Sequence, residues 1–307
     1  MKTSHTTFEY RLRDWLLDLL HSQWRTLGVP FSVARQPRPE EAIDPEALLW
    51  CSLEFFPTQP RLKEQALAWW TDNSRAVLVP RVRKFAQAQA DPRALIWHAL
   101  DTQWHKSSKP PTTPCYGQKS VDELLTFCTD LGHQAKTSKD QHQQAGKPEK
   151  TNAAVILRAR DLLGNDARHF ILLYLLANHG SAKLRPIATW SGQSYRNISK
   201  VAQRWESAGV LSLEHGFARL KNPALWESLL ALRPSKIVLV DWRRFYDACV
   251  TLLRSLEKAH AKSLPADGPV VAGLLREASD EATASIESEP STDSATIQDF
   301  RLLLSSL

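Results

Sequence analysis

Arg196, Asn197, Lys200, Gln203 and Arg204 are the residues of this chain whose types and spacing most clearly suggest chemistry, and that chemistry is recognition of a polyanion. Placed on a helix at about 100° per residue, the five share an arc of about 120°. Ile198, Val201, Ala202 and Trp205 take the opposite side. Arg and Lys grip phosphate oxygens or the acceptor edge of guanine, and Asn or Gln can pair with both the donor and the acceptor of adenine. Glu206 is the single acid of the helix and stands near its end, so the polar face carries none. At its start Ser194 offers a capping hydroxyl, and Tyr195 a ring that packs on a sugar or methyl group or else covers the turn. A solvated face that is basic by composition alone would look the same, so the helix has to be weighed with its neighbours.

Those neighbours read as a small module. Phe170–Ala177 has the apolar density of a buried helix, Pro186 suits the first turn of a helix over Arg185–Ser191, and Gly192 marks a tight turn before the helix over Ser194–Ser207. Ala208-Gly209 has the form of a C-cap. Beyond it, Val210–Leu213 and Phe217–Lys221 are β-prone runs around Glu214-His215-Gly216, which predicts a hairpin. Alternation along the second arm puts Phe217, Arg219 and Lys221 on one face, so two cations would stand near a phosphate backbone. From Ser181 to Lys221 the cations are Lys183, Arg185, Arg196, Lys200, Arg204, Arg219 and Lys221, against Glu206 and Glu214 alone. The whole chain is only +6, so this stretch accounts for most of its excess.

On these residues, Asp166 to Asn222 resembles the winged helix-turn-helix domains of bacterial transcriptional regulators of the MarR or ArsR type. The likeness is one of pattern, confined to this part of the 307 residues. It implies that Ser194–Ser207 is a recognition helix for the major groove of double-stranded DNA, that Arg185–Ser191 precedes it, and that Val210–Asn222 is the wing. Arg196, Asn197, Lys200, Gln203 and Arg204 would then face bases, and Lys183, Arg185, Arg219 and Lys221 phosphates. Members of those families are mostly small one-domain proteins, whereas here the module is flanked on both sides. The arrangement also resembles bacterial helix-turn-helix proteins with a helical N-terminal domain, which lend no activity.

Other chemistry finds little support. No GxSxG elbow, HExxH helix or Rossmann glycine signature is present. Gly146-Lys147 is not a phosphate loop, because Gln141 stands where a glycine is needed and Pro148 where a hydroxyl belongs. Cys51, Cys115, Cys128 and Cys249 are scattered without a CxxC, which points to free thiols rather than a disulfide framework or zinc knuckle. Cys128, His133 and His142 lack ligand spacing and a fourth partner. Asp161, Asp166 and His169 are close in sequence, but capping and surface charge explain them. The expectation is a non-enzyme with no catalytic residue, metal or cofactor.

The predicted fold class is mainly α. Residues 1–132 form a helical N-terminal domain, 133–151 a flexible linker almost without large apolar residues, 152–262 the winged helix-turn-helix domain with a C-terminal helix, and 263–307 an acidic, partly disordered tail. Helices are expected over Thr7–Leu27, from Pro45 to Phe56, over Arg61–Thr71, from Pro92 to Trp104 and over Val121–Leu131. Arg35–Ala42 reads as a loop, and Ala76–Ala90 is ambiguous between strand and helix. Further on, Pro223–Leu232 is helical, Lys236–Val240 β-prone, and Asp241 caps a long helix to Lys262. That helix carries a stripe of Phe245, Cys249, Leu252, Leu253 and Leu256 that suits either a homodimer or its own core. In the tail, short helices are expected at Val270–Ala278 and Ile297–Ser305, and the acids either stay solvated or compete with DNA for the basic module. Most of the eleven tryptophans lie at helical spacing and are expected in cores. No apolar window of about 18 residues exists, and the opening MKTSHTTFEYRLRD lacks a signal-peptide core, so a cytoplasmic chain with no membrane partner is expected. The function expected is sequence-specific duplex DNA binding by a transcriptional regulator. The alternative is a protein-interaction subunit of a multi-component system, antitoxin-like or defensive, with the winged helix as docking surface and the N-terminal domain on a protein partner.

Overall fold

Phe8, Leu12, Leu16, Leu19 and Leu20 recur at helical spacing, and all five are buried along one face of α1 (His5–Thr26). The computed structural model describes residues 5–33, 35, 38–87, 91–105, 148, 150–232, 237–261, 273, 276–277, 280 and 294–304. It is mainly helical with a small amount of sheet, and no described helix is long and apolar enough to cross a membrane. The chain divides into two compact units, one of residues 1–27, 31–44 and 148–307, the other of residues 28–30 and 45–147. Besides α1, the first unit takes from the early chain the two-residue strand β1 (Glu41–Ala42).

The second unit is a helical cluster. It runs α2 (Pro45–Ser52), α3 (Pro60–Asp72), a 3₁₀ turn at Ser74–Ala76, α4 (Val79–Ala86) and α5 (Pro92–His105). Proline stands at the first or second position of all four helices, where its missing N–H costs nothing. Within the ambiguous stretch Ala76–Ala90, Val79–Ala86 is the helix α4, with Val82 and Phe85 buried. The helix expected to reach Phe56 stops at Ser52, whose hydroxyl bonds the Leu48 carbonyl (2.8 Å), and the chain continues in 3₁₀-like turns. Glu46 is fully buried, taking the Leu78 N–H (2.8 Å) and Arg81 (3.1 Å). Arg83 holds Asp101 through two bonds (2.7 and 2.9 Å), and Trp70 meets Trp97 edge-on at 5.7 Å.

In the first unit the chain resumes with a 3₁₀ turn (Asn152–Ala154) and α6 (Val155–Leu163), then α7 (Ala167–Ala177), β2 (Ser181–Lys183), α8 (Leu184–Ser191), α9 (Tyr195–Ser207), β3 (Leu211–Glu214), β4 (Phe217–Leu220), α10 (Pro223–Leu229), β5 (Val238–Leu239), α11 (Trp242–Ala261) and α12 (Ala295–Leu304). Strand β4 lies between β2 and β3, antiparallel to both. Strands β1 and β5 pair in parallel, Glu41 opposite Val238 and Ala42 opposite Leu239, so the loop expected over Arg35–Ala42 ends in a strand. The Trp242 indole N–H closes that pair by donating to the Ala42 carbonyl (2.7 Å). Asp241 caps α11 as expected, its carboxylate accepting the Arg244 N–H (3.1 Å).

The compact units part company with the division expected at residues 132 and 152. Helix α1 packs on α11, joined by Tyr246 donating to Gln23 (2.5 Å) and by an Arg13–Glu257 ion pair. The α11 stripe is buried there, within the chain itself. A break in composition marks where local character changes, but the partner of an apolar stripe is chosen by complementary shape anywhere along the chain. The expected helices over Val121–Leu131 and Val270–Ala278, nearly all of the linker, and the serine-rich acidic stretch lie outside the described residues, apart from isolated positions.

Candidate nucleic-acid interface

The site begins with a rigid base. Helix α7 opens at Asp166, whose carboxylate accepts the Arg168 N–H (2.8 Å), and Phe170 to Leu175 are buried without a break. Trp190 of α8 lies against Phe170 (5.6 Å, edge-on) and Tyr174 (5.8 Å), which locks α8 to that helix. Gly192 ends α8 at φ +67°, a left-handed conformation that a side chain would strain. Ser191 Oγ accepts the Gln193 N–H (3.3 Å), and Ser194 then caps α9, its hydroxyl accepting the Asn197 N–H (3.2 Å). Two hydroxyls and a glycine thus set the angle between α8 and α9.

Helix α9 separates into the two faces its sequence implies. Ile198, Ala202 and Trp205 are buried, and Trp205 stacks on Trp226 of α10 (6.0 Å, 13° between rings). Tyr195, Arg196, Asn197, Lys200, Gln203 and Arg204 are exposed. Asn197 Nδ2 donates to Gln193 Oε1 (3.1 Å), which holds the Asn197 amide in place and adds Gln193 to the surface. The sequence offered no signal for Gln193, since it lies before the cap and off the helical wheel. Glu206 turns its carboxylate to the hairpin, where it accepts the Leu213 N–H (2.9 Å). The helix closes with Gly209 at φ +75°, the Gly209 N–H on the Glu206 carbonyl (2.9 Å) and the Val210 N–H on that of Trp205 (2.9 Å).

The hairpin turns in two residues, His215 and Gly216, both at positive φ, with Glu214 opposite Phe217. Such a turn matches the right-handed twist of its strands. Ala218 and Leu220 point inward and Phe217, Arg219 and Lys221 outward, as alternation requires. Strand β2, whose three residues carry too little pattern to show in the sequence, brings Lys183 opposite Phe217 and Ser181 opposite Arg219. The Lys183 ammonium sits 5.2 Å from the Phe217 ring.

Lys183, Arg185, Arg196, Lys200, Arg204, Arg219 and Lys221 are all exposed, and among the described residues none of the seven is in an ion pair. Elsewhere the chain pairs its arginines readily, as Arg81 with Glu46, Arg83 with Asp101 and Arg168 with Asp166. An unpaired cation at a surface keeps its full charge for an incoming anion, and seven of them on adjoining elements create a local positive potential.

The residues weighed for other chemistry are not brought together. Asp166 is engaged with Arg168, while His169 is buried, accepting from Arg160 (3.2 Å) and packed on Phe170 (4.0 Å). Asp161 is exposed. No group of three or more potential metal ligands occurs among the described residues. Cys51 and Cys249 are buried and in no disulfide among the described residues, and desolvation raises the Cys249 pKa well above its ordinary value, which disfavours the thiolate. Cys115, Cys128, His133, His142 and Gly146-Lys147 lie outside the described residues. No family model, curated protein or solved structure matches the chain.

Proposed function

We propose that residues 166–222 are a winged helix-turn-helix that binds duplex DNA and that the protein regulates transcription from the cytoplasm. The observation that carries this reading is the cationic, acid-free face of α9, exposed and without ion pairs among the described residues, beside a strand bearing Arg219 with Lys221 just after it. In this reading α9 enters the major groove. Arg196, Asn197, Lys200, Gln203 and Arg204 meet base edges, and Ser194 and Tyr195 the sugar-phosphate at its entry. Lys183, Arg185, Arg219 and Lys221 hold phosphates, and β3–β4 is the wing. A homodimer would read two half-sites about one helical turn apart.

Selection of bound sequences from a random duplex pool, followed by titration of the selected site against salt, tests the reading. The expected result is a preferred sequence and an affinity that falls steeply with added salt. Absence of duplex binding at about 50 mM salt would overturn it. One observation favours a second reading, a docking surface for a protein partner: Leu225 and Leu229, one turn apart on α10, are 53% and 54% exposed. Loss of partner binding on Leu225→Asp, with duplex affinity unchanged or absent, would support that reading.

A further inference from the structure

Strand β4 lies between β2 and β3, and residues directly opposite one another on neighbouring strands point to the same side of a sheet. Ser181, Arg219 and Ser212 therefore form one outward row, and Lys183, Phe217 and Glu214 the row beside the turn. Lys221 extends the ladder at the other end, its N–H on the Val210 carbonyl (3.0 Å). The sheet is tied down along its length. The Gly216 carbonyl accepts the Leu184 N–H (3.1 Å), the Gly180 carbonyl accepts the Leu220 N–H (2.8 Å), and Glu206 of α9 takes the Leu213 N–H (2.9 Å). The outward face thus has a set place next to the cationic helix.

Phe217 stays 44% exposed amid these polar and charged groups, with the Lys183 ammonium 5.2 Å from its ring. A phosphate oxygen gains nothing from an aromatic ring, so the cations do not account for it. A base with an open face does, because stacking takes an apolar face of each partner out of water. In a duplex those faces are covered by the neighbouring pairs, and in an unpaired stretch they are open. Outward residues of a β-strand repeat about every 7 Å, near the step between successive phosphates of an extended nucleic-acid strand, so Arg219 and Lys221 can follow one backbone. The hydroxyls of Ser181 and Ser212 flank Arg219 as neutral donors. Glu214, the acid of this face, repels a phosphate from the turn and leaves Phe217 to an uncharged base.

We propose that the outward face of β2, β3 and β4 is a platform for an unpaired strand, so that the nucleic acid this protein prefers carries a single-stranded stretch beside its duplex. Only the duplex half of that substrate rests on the reading of α9 as a major-groove helix. Phe217 stacks on a base of the unpaired stretch, and Lys183, Arg219 and Lys221 follow its phosphates. Ser181 and Ser212 donate to the phosphate that Arg219 holds. A backbone-tracking row of cations with an aromatic ring set into it is how single strands are gripped without sequence readout. Sequence is then read by α9 and strand character by the sheet.

The test uses the full chain and labelled probes built on the duplex selected for α9. One is blunt, one carries a flank of about six unpaired nucleotides at either end, and one carries the same flank with abasic sugars. The flanked duplex of one polarity is expected to bind about tenfold tighter than the blunt one, and the abasic flank to keep little of that gain. Phe217→Ala should remove most of the gain and leave blunt-duplex affinity within about twofold, while Phe217→Trp retains the gain. Ser181→Ala together with Ser212→Ala should weaken flanked binding at an unchanged salt slope, since no charge is lost. The abasic probe uses the wild-type chain and decides the matter should Phe217→Ala disturb the fold. No gain from either flank, or a gain that survives in the abasic probe or in a folded Phe217→Ala chain, overturns the platform and leaves the α9 reading intact. If blunt duplex is not bound at about 50 mM salt, the α9 reading falls by itself, and the unpaired strand alone then decides the platform. Binding of that strand that depends on Phe217 upholds it, and absence of binding refutes it.

Discussion

Ser194 decides where the cationic helix begins, its hydroxyl accepting the Asn197 N–H at that end of α9. Ser194→Ala should therefore cost about 1 kcal/mol in stability, read as a lower urea midpoint at unchanged slope. An unaltered midpoint would mean that Trp205, Ile198 and Ala202 hold the helix without the cap. Arg196 is exposed and, among the described residues, in no ion pair, so removing it leaves no buried charge behind. Arg196→Ala should leave the melting temperature within a degree or so, yet cost about 1–3 kcal/mol against the selected duplex if it pairs with guanine. Equal losses on selected and random duplex would reassign it to the backbone. The exposure of these residues was legible in the sequence, because each lies opposite Trp205 on a wheel of short range. Gln193 was not, since its place beside Asn197 depends on the turn that Gly192 makes.

At the scale of elements, the wing depends on its turn. A Cβ on Gly216 would meet nothing within 4 Å, whereas one on Gly180 would come within 3.1 Å of the Pro223 ring. Gly216→Ala therefore costs only what its φ of +81° imposes, about 1–2 kcal/mol, and Gly180→Ala, at the same φ, should cost more because a tight contact with Pro223 is added. Thermal melts of the two variants side by side check the order, and a Gly216 variant no less stable than wild type would show that the hairpin had relaxed to another turn. The hairpin itself was readable from Glu214-His215-Gly216 between β-prone arms, but β2 was not. Its three residues have no periodicity of their own, and only β4 gives them a place, with Lys183 beside Phe217.

At the scale of the molecule, the seven unpaired cations set how binding should respond to salt. If Lys183, Arg185, Arg219 and Lys221 engage phosphates, the slope of log K against log salt is about −4 for each copy bound, and Lys221→Ala should reduce its magnitude by about 1. A slope near zero would show that these charges face something other than a polyanion. Stability has a different centre. Glu41 sits in β1, against β5, and takes three hydrogen bonds from Ser294 and Thr296 across the length of the chain. Glu41→Ala leaves buried donors without a partner and should cost on the order of 3 kcal/mol, read as a fall in the urea midpoint. A loss well under 1 kcal/mol would place the weight of that junction on the Phe300–Trp15–Phe245 cluster instead.

Taken alone, the amino-acid sequence determined several of the described helices, the Ser194 cap, the turns at Gly192 and Gly209 and the charge asymmetry of α9, since each follows from residues within a turn or two of one another, whereas Val79–Ala86 stayed ambiguous and the second helix stops short of Phe56. Only the tertiary structure decided that α1 lies on α11, that Glu41–Ala42 pairs with Val238–Leu239, and that Arg35, Arg38 and Glu41 receive residues 294–299. Those choices rest on buried shape and on hydrogen-bond partners some 200 or more residues apart, for which local periodicity carries no signal.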